Sequence, residues 1–194
     1  MSIIDIVKRL PDSYKAEKAY QKEDILAFEG ETCRGVYLIM SGAIEIVSYA
    51  LNGKEIVYTR KEQGEMFGNH LIFSSHPTYR GNVVCKEDTS LIYIGKEHLV
   101  QAMQEHQDFL MAVLQIQSDF SIELNSKMKL LSFDHAEDRF MYYLSSHDGE
   151  IAFKSISRLS NELFLKRETC SRLIHRLETE GKIKLYKNKI TLNP

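Results

Sequence analysis

The sequence predicts an α+β protein with an antiparallel β-roll first, a long helix in the middle, and a helix-turn-helix with a β-hairpin at the end. Three observations support this order. Short alternating apolar stretches fill residues 22–95, an uninterrupted helical periodicity covers 96–131, and three further helical patterns precede two alternating segments near the C-terminus. The 194 residues suffice for one large domain or two small ones.

Composition excludes several classes of protein. Apolar residues make up 43% of the chain and charged residues 27%, as in an ordinary globular protein. No apolar run approaches the roughly 18–20 residues that span a bilayer. Cys33, Cys85 and Cys170 are odd in number and lie far apart, which favours neither a disulfide scaffold nor a zinc or iron–sulfur site. We therefore expect a soluble protein of a reducing cytoplasm, without a membrane segment.

Charge is distributed unevenly along the chain. Residues 1–134 carry 14 basic and 19 acidic side chains, whereas residues 135–194 carry 11 basic and 8 acidic ones. Ten of the basic side chains lie between Lys154 and Lys189, together with four acidic ones. A basic segment of this kind fits a polyanion such as nucleic acid, although it also fits a solvated face.

The alternating stretches are typical of strands in an antiparallel roll. They recur at intervals of about ten residues, and glycines separate them, as the strands of a roll or barrel require. Asn52-Gly53 is the strongest hairpin signal among these turns. The clearest strand-like stretches are Val36–Met40, Ala43–Val47, Glu55–Thr59 and Ser90–Ile94.

Residues 96–131 contain neither glycine nor proline, which predicts one long helix or a short helix that leads into a long one. Selected positions repeat there in steps of three and four, the spacing of a coiled-coil seam. Packing of this stripe on the protein's own β-roll is the alternative to a parallel dimer stalk, and we favour the stalk. The seam consists of Leu110, Val113, Gln117, Phe120, Leu124, Lys127 and Leu131.

The C-terminal region predicts a winged helix-turn-helix after a hinge near Phe133–His135. Gly181 ends the second helix of the pair, and the last segments form the hairpin. The expected elements are a helix over 136–146, a strand around 151–153, a helix over 155–163, a tight connection over 164–166, a helix over 167–180 and two strands over 183–192.

The two sides of the helix that begins at Arg167 differ in chemistry. At about 100° per residue, its polar side consists of Arg167, Glu168, Ser171, Arg172 and His175. Its apolar side consists of Cys170, Leu173, Ile174 and Leu177. Arginine donates two hydrogen bonds to guanine and glutamate accepts one from cytosine, so the polar side suits base edges in a major groove. The alternative is an amphipathic helix whose charges only confer solubility.

Lysines around the final hairpin suit contacts with phosphates, which hold a protein on DNA without specifying sequence. These lysines are Lys182, Lys184, Lys187 and Lys189. Lys166 and Thr169, at the start of the helix, are further candidates for contact with DNA. His175, at the far end of the polar side, is a bystander or a phosphate contact.

Arg167-Glu168-Thr169, followed by Ser171-Arg172, resembles the recognition helix of the catabolite activator and fumarate-nitrate regulator (Crp/Fnr) family. The β-roll carries similar family segments. They are Gly30-Glu31, Val36–Ile39 before Ser41-Gly42, Asn52-Gly53-Lys54-Glu55, and Gly64–Gly68. Domain order agrees as well, and the resemblance covers residues 20–192.

The resemblance implies a sensory jelly roll of the cyclic-nucleotide-binding type over 1–105, a dimerisation helix over 106–132 and a winged helix-turn-helix over 133–194. It also implies a homodimer on a two-fold-related site in double-stranded DNA, half-sites of the G-T-G-A type and contact with RNA polymerase. It does not distinguish an activator from a repressor. Lys166 departs from the family, whose members commonly have serine or threonine there, so the usual N-cap hydroxyl is missing.

The pocket for a cyclic nucleotide departs further from the family. In relatives that bind cyclic AMP, a glutamate accepts from the ribose and an arginine neutralises the phosphate. Here Asn69 replaces the glutamate and Gly81 replaces a phosphate-binding hydroxyl, which argues against cyclic AMP. The candidate effector residues are Gly68, Asn69, Arg80, Gly81, Asn82, Leu124 and Asn125. Leu124 and Asn125 stand where such relatives carry Thr-Ser.

Other ligands stay open at this point, and neither an effector nor a cofactor is identified. Arg80 is either a site for another anion or a surface residue. Cys33 or Cys85 as a redox switch, and His70 or His76 as a haem or metal ligand, are alternatives with little support from the pattern. A constitutive DNA-binding protein with a ligand-free roll is a further alternative.

Catalysis is the remaining class, since cupin enzymes also build antiparallel rolls. Cupins need a histidine-rich ligand set, whereas His70, His76 and His98 are scattered and no H-x-H pair occurs. The sequence also lacks G-x-S-x-G, H-E-x-x-H and P-loop motifs. We therefore expect a regulator and not an enzyme.

Overall fold

The computed structural model describes residues 2–50, 52–53 and 55–193. The chain divides into two compact units, Met1–Asp119 and Phe120–Pro194. A helix over Gln107–Leu131 begins in the first unit and ends in the second. The predicted α+β class is confirmed.

The first unit is a roll of two four-stranded antiparallel sheets, ordered β1-β8-β3-β6 and β2-β7-β4-β5. Buried side chains from both sheets form one core. The elements are α1 (Ile3–Arg9), a 3-10 turn (Asp12–Tyr14), β1 (Ala16–Tyr20), β2 (Ile25–Ala27), β3 (Gly35–Ser41), β4 (Ala43–Tyr49), β5 (Glu55–Glu62), β6 (Met66–Phe67), β7 (Asn82–Cys85), β8 (Thr89–Gly95), α2 (Lys96–Glu105) and α3 (Gln107–Leu131).

The four strand-like stretches of the sequence lie in β3, β4, β5 and β8, as predicted. The hairpin at Asn52-Gly53 is confirmed by the antiparallel pairing of β4 with β5. Gly53 has a positive φ of 76°, which suits glycine, and its N–H donates to the Ala50 oxygen at 2.8 Å. Lys54, which belongs to the segment that carries the family resemblance, lies outside the described residues.

Of the two arrangements predicted for residues 96–131, the structure shows a short helix followed by a long one. The chain breaks the helix at His106, whose extended backbone separates the short α2 from the long α3. The sequence pattern could not distinguish one continuous helix from two, because His106, where the helix breaks, is neither glycine nor proline.

Of the residues predicted to form the dimer seam on α3, some are buried in the protein and others are exposed to solvent. Val113 is only 9% exposed and packs with Phe109 in the core of the roll, so its place in the seam is wrong. Periodicity could not reveal this, because a core face and a dimer face share the same spacing. The exposed large apolar residues of α3, which are 43–67% exposed, are Met111, Leu114, Ile122, Leu124, Met128 and Leu131. Leu110, Gln117, Phe120 and Lys127 are half-buried.

The second unit is a helix-turn-helix with a three-stranded antiparallel sheet ordered β10-β11-β9. Ser155 is the N-cap of the first helix of the helix-turn-helix pair, since its side chain accepts a hydrogen bond from the Arg158 N–H at 3.2 Å. The elements are α4 (Ala136–Ser145), β9 (Glu150–Ala152), α5 (Ile156–Glu162), α6 (Arg167–Thr179), β10 (Ile183–Tyr186) and β11 (Lys189–Leu192). These agree with the predicted winged helix-turn-helix within about one residue at each end.

In the part of the chain that the structure describes, no helix combines the length and the apolarity needed to cross a membrane.

Candidate nucleic-acid interface

The predicted two-sided pattern of α6 is confirmed. Its apolar residues, Cys170, Leu173, Ile174 and Leu177, are at most 6% exposed and belong to the core of the second unit. Its polar residues, Arg167, Glu168, Ser171, Arg172 and His175, are all exposed. The helix is therefore anchored by one face and presents the other to solvent.

Four of the polar residues surround one open groove. Arg167, Glu168, Ser171 and Arg172 line a groove of about 580 Å³ together with Ile156, the first residue of α5. Sequence reasoning missed Ile156, although its place directly after the N-cap Ser155 was a usable signal. An apolar side chain at such a groove suits contact with a thymine methyl group.

The cationic side chains of this groove keep most of their donors available. The Arg172 Nε donates to the Glu168 backbone oxygen at 3.4 Å. Within residues 2–50, 52–53 and 55–193, neither Arg167 nor Arg172 takes part in an ion pair. Two exposed guanidinium groups five residues apart on one helix are suited to bidentate binding of guanine edges or phosphates.

The start of α6 lacks a side-chain cap, as predicted. Lys166 is the N-cap residue, and its side chain makes no capping hydrogen bond. Thr169 lies half-buried in the first turn, while Lys166 is exposed. The first N–H groups of α6 therefore have no partner from the N-cap side chain, which leaves a favourable place for an anionic group.

The lysines of the hairpin divide into paired and unpaired groups. Lys189 binds the Glu150 carboxylate of β9 at 2.6 Å, because β11 lies between β10 and β9. Lys182 binds Glu137 at 2.6 Å and Glu180 at 2.9 Å. The exposed Lys184 and Lys187 form no ion pair with any residue that the structure describes. The sequence, which treats these lysines as equals, could not make this distinction.

An ion-pair network joins the start of α4 to the end of α6. Glu137 accepts from Lys182 and also from the Arg176 Nη2 at 2.7 Å. The hydrogen bond from the Lys182 ammonium, aided by the charge of Arg176, lowers the pKa of Glu137. These cations are therefore occupied within the unit.

In the roll, the candidate effector residue Asn69 is 6% exposed. Its Nδ2 donates to the Gln117 Oε1 at 3.3 Å, and the His70 Nδ1 lies 3.1 Å from the same oxygen. Gln117, predicted in the dimer seam, thus directs its side chain to Asn69. The Asn69 Oδ1 is buried and has no partner among the described residues. We name this cluster of Asn69, His70 and Gln117 the amide recess.

Two glycines of the predicted effector site are required by packing. Gly68 has a φ of 84°, and a Cβ there would lie 2.7 Å from the Gly35 oxygen. A Cβ on Gly81 would lie 2.6 Å from the Val47 oxygen. Gly81 therefore does more than omit a hydroxyl, because the backbone at this position leaves no room for any side chain.

The structure does not gather every predicted effector residue into the amide recess. Arg80 is exposed and forms no ion pair within the described part of the chain. The Asn82 Oδ1 accepts from the Glu29 N–H at 2.9 Å and so serves the roll itself. Leu124 and Asn125 are exposed residues of the second unit.

The alternative redox and metal sites receive no geometric support. Cys33, Cys85 and Cys170 are free thiols and all are buried. Burial raises the pKa of the Cys85 thiol, and it raises that of Cys170 to about 11, so the reactive thiolate is disfavoured at both. Among the described residues, no three His, Cys, Asp or Glu side chains are arranged to hold a metal ion.

Comparisons with known proteins agree with both units. The family model of the cyclic nucleotide-binding domain matches residues 17–106. The cyclic AMP receptor protein of Thermus thermophilus is 24% identical over 180 residues, which are 89% of this chain and 82% of that protein. The chain is thus similar, over most of its length, to proteins of the Crp/Fnr family.

Solved structures show the same fold. FixK2 from Bradyrhizobium japonicum superposes with a TM-score of 0.60 at 22% identity, and the match covers 93% of each chain. A CooA variant from Carboxydothermus hydrogenoformans superposes with a TM-score of 0.70 at 18% identity, over 100% of this chain and 92% of the other. Both likenesses include the β-roll and the C-terminal unit.

Proposed function

We propose that this Crp/Fnr protein is a homodimeric transcription regulator that binds a two-fold-related site in double-stranded DNA through α6. The observation that carries this proposal is the groove lined by Arg167, Glu168, Ser171 and Arg172, whose polar groups are exposed on a helix anchored by its opposite face. The regulatory relative in Thermus thermophilus supports the same role over most of the chain. It also favours a regulator over a cupin-like enzyme.

The groove's chemistry suits half-sites of the G-T-G-A type. Arg167 and Arg172 offer paired donors for guanine O6 and N7, and Glu168 offers an acceptor for a cytosine amino group. Ser171 and the methyl groups of Ile156 complete the surface that faces a base pair. Lys166, Thr169, His175, Lys187 and Lys189 are proposed as further DNA contacts, of which Lys189 is already paired with Glu150.

The exposed stripe of α3 supports self-association. Leu114, Leu124, Met128 and Leu131 are large apolar side chains that solvent reaches in a single chain. Exposed apolar residues that follow steps of four and three, as Leu124, Met128 and Leu131 do, are typical of a helix face that a second helix covers. We therefore propose α3, within 106–132, as the dimerisation helix between the sensory roll (1–105) and the DNA-binding domain (133–194).

The roll is proposed as the sensor, with an effector other than cyclic AMP. The buried Asn69 Oδ1 offers an acceptor for a ligand that brings a hydrogen-bond donor. The second candidate is a constitutive regulator, which is favoured by the bond that already joins Asn69 to Gln117. Gly81 and its contact with Val47 oppose a phosphate site of the cyclic AMP type in either case.

Two further parts of the proposal follow from the family. A regulator of this kind acts where its DNA lies, so we place the protein in the cytoplasm. We also propose that it contacts RNA polymerase from its promoter site. Whether that contact activates or represses depends on where the site lies relative to the promoter.

Selection of genomic fragments by the purified protein tests the proposal. The experiment has two arms, with and without a metabolite extract, and the Arg172→Ala variant serves as the matched control. We expect enrichment of a sequence with two-fold symmetry by the wild type, and weaker enrichment by the variant. Enrichment only with the extract indicates a sensor, and equal enrichment in both arms indicates a constitutive regulator. Selection of no sequence in either arm would overturn the regulator.

A further inference from the structure

Arg139 of α4 joins two connections of the second unit. Its Nη2 donates to the Phe133 oxygen at 2.8 Å, just beyond the end of α3. Its Nη1 donates to the Phe164 oxygen at 3.2 Å and to the Leu163 oxygen at 3.3 Å, between α5 and α6. Its Nε is buried without a partner among the described residues. One guanidinium therefore spans the exit from α3 and the entry to α6.

The entry to α6 is strained at Phe164. This residue has a φ of 53°, a left-handed conformation that a bulky side chain adopts at a cost. It occupies the position after the C-cap of α5, where the Phe164 N–H donates to Asn161 and the Leu165 N–H donates to Ser160. That pair of bonds defines a Schellman motif, whose left-handed residue is usually glycine.

The end of α6 shows the same motif with the usual residue. Gly181 has a φ of 72°, its N–H donates to the Glu178 oxygen, and the Lys182 N–H donates to the Leu177 oxygen. Glycine adopts this conformation without a steric penalty. The two motifs thus differ in the left-handed residue, and only the one at Phe164 needs outside support.

Arg139 provides that support at the carbonyl end of α5. The last carbonyls of a helix carry partial negative charge, so a cation that donates to them stabilises the helix end. The Phe164 side chain is 44% exposed, which leaves its own packing a weak anchor for the turn. A strained backbone persists only where its surroundings hold it. The bonds from Arg139 hold this turn in addition to its two Schellman bonds.

Phe133, which accepts the other hydrogen bond from Arg139, is itself fixed by packing. The Phe133 ring packs on Tyr142 with 5.2 Å between ring centroids, and the Lys129 ammonium lies 4.6 Å from the Tyr142 ring centre. The last turn of α3 and the segment after it therefore rest on α4, next to Arg139. The hinge predicted near 133–135 is fastened to α4 in this structure.

We propose that Arg139 is a positioning residue for DNA recognition. Its guanidinium fixes the turn at Phe164 relative to the end of α3 and thereby sets where α6 presents Arg167 and Arg172. This inference rests on the proposed function of α6. A lysine or glutamine could not replace the arginine, because only the planar fork of a guanidinium donates to carbonyls on two sides.

A double-mutant cycle tests this role. Arg139→Gln, Phe164→Gly and the double variant are compared with the wild type for binding to the selected DNA and to random DNA. Arg139→Gln should lower affinity for the selected DNA by about tenfold, because hydrogen bonds from a charged donor are lost and the strained turn relaxes. Affinity for random DNA should change by less than about threefold, because most phosphate contacts remain. A structural defect alone would lower both affinities together.

Phe164→Gly should restore binding in the Arg139→Gln background to within about threefold of the wild type, since glycine adopts the left-handed turn without support. Arg158→Gln, which removes one positive charge from the neighbouring α5, is the matched control and should leave the ratio of the two affinities unchanged. If Arg139→Gln alone does not fold, Phe164→Gly and the double variant are compared directly, and they should bind the selected DNA equally.

Four results would overturn the inference. They are an unchanged affinity of Arg139→Gln for the selected DNA, an equal loss of affinity for selected and random DNA, a loss that Phe164→Gly fails to restore, and a tenfold difference between Phe164→Gly and the double variant. Each of them leaves the proposed function intact, because the wild type still selects DNA. A wild type that selects no DNA removes the proposed function and this inference together.

Discussion

The outer face of α6 and the amide recess are both candidate binding sites, but they are built in opposite ways. Arg167 and Arg172 are exposed and form no ion pair within the described chain, whereas Asn69 is buried and bonded to Gln117. The glycine beside Asn69 is likewise enclosed by backbone. Groups that await a large partner stay in water at little cost to folding, while polar groups inside a roll need hydrogen-bond partners there, and the Asn69 Oδ1 lacks one among the described residues.

This difference predicts a separation of effects. A substitution on the outer face of α6 should change DNA binding and leave stability almost unaffected. A substitution around the amide recess should change stability first.

Gly68→Ala should lower the free energy of unfolding by about 3 kcal/mol, since it adds both a left-handed penalty and a clash with backbone. The clash arises because the new Cβ lies 2.7 Å from the Gly35 oxygen. Gly30→Ala is the control, with a φ of 85° but open space around its Cβ, and should cost only about 1 kcal/mol. Urea unfolding measures both, and equal losses would show that the enclosure of Gly68 is unimportant.

Arg172→Ala should cost about 1–3 kcal/mol of binding free energy on the selected DNA and relax base preference at one position. Its free energy of unfolding should stay within about 0.5 kcal/mol of the wild type, because the side chain is exposed. Fluorescence anisotropy with selected and random DNA measures the first effect, and urea unfolding the second. An equal loss on both DNAs would contradict base reading by this residue.

Lys187→Ala should weaken binding to all DNA alike and reduce the salt dependence of affinity by about one unit of slope, as loss of a single phosphate contact does. Lys189→Ala should reduce that slope less, because Glu150 already neutralises Lys189 at 2.6 Å. Salt titrations of affinity for random DNA compare the two. A larger effect of Lys189→Ala would show that its ion pair opens on DNA.

Glu137 should make a small, pH-dependent contribution to the stability of the second unit. Its pKa lies below the ordinary value of 4.5, so its stabilising effect is present above that value and is lost as the pH falls through the lowered pKa. Glu137→Gln should therefore lower the melting temperature near pH 7 and have less effect near about pH 3. Glu178→Gln, at an exposed position of α6, is the control. A difference from the wild type that stays constant with pH would contradict this account.

Much of the fold could be predicted because several elements carry their own signals in the sequence. Alternation marks β3, β4, β5 and β8, and the lack of glycine and proline marks the helices between residues 96 and 131. The polar and apolar sides of α6 follow from a periodicity of 3.6 residues, and its start matches a family motif. These signals act over a few residues along the chain, so they survive without knowledge of the tertiary structure.

The tertiary structure decided which of several equivalent residues remain available to a partner. Val113 and Leu114 are both apolar, but only the packing of the roll shows that Val113 is buried in the core while Leu114 is exposed. In the same way, sheet order pairs Lys189 with Glu150, whereas Lys187 forms no ion pair with any described residue. The bonds from Arg139 to the connections on either side of it are likewise invisible in the sequence. Periodicity shows which face of an element is apolar, whereas availability depends on contacts between residues that are distant along the chain.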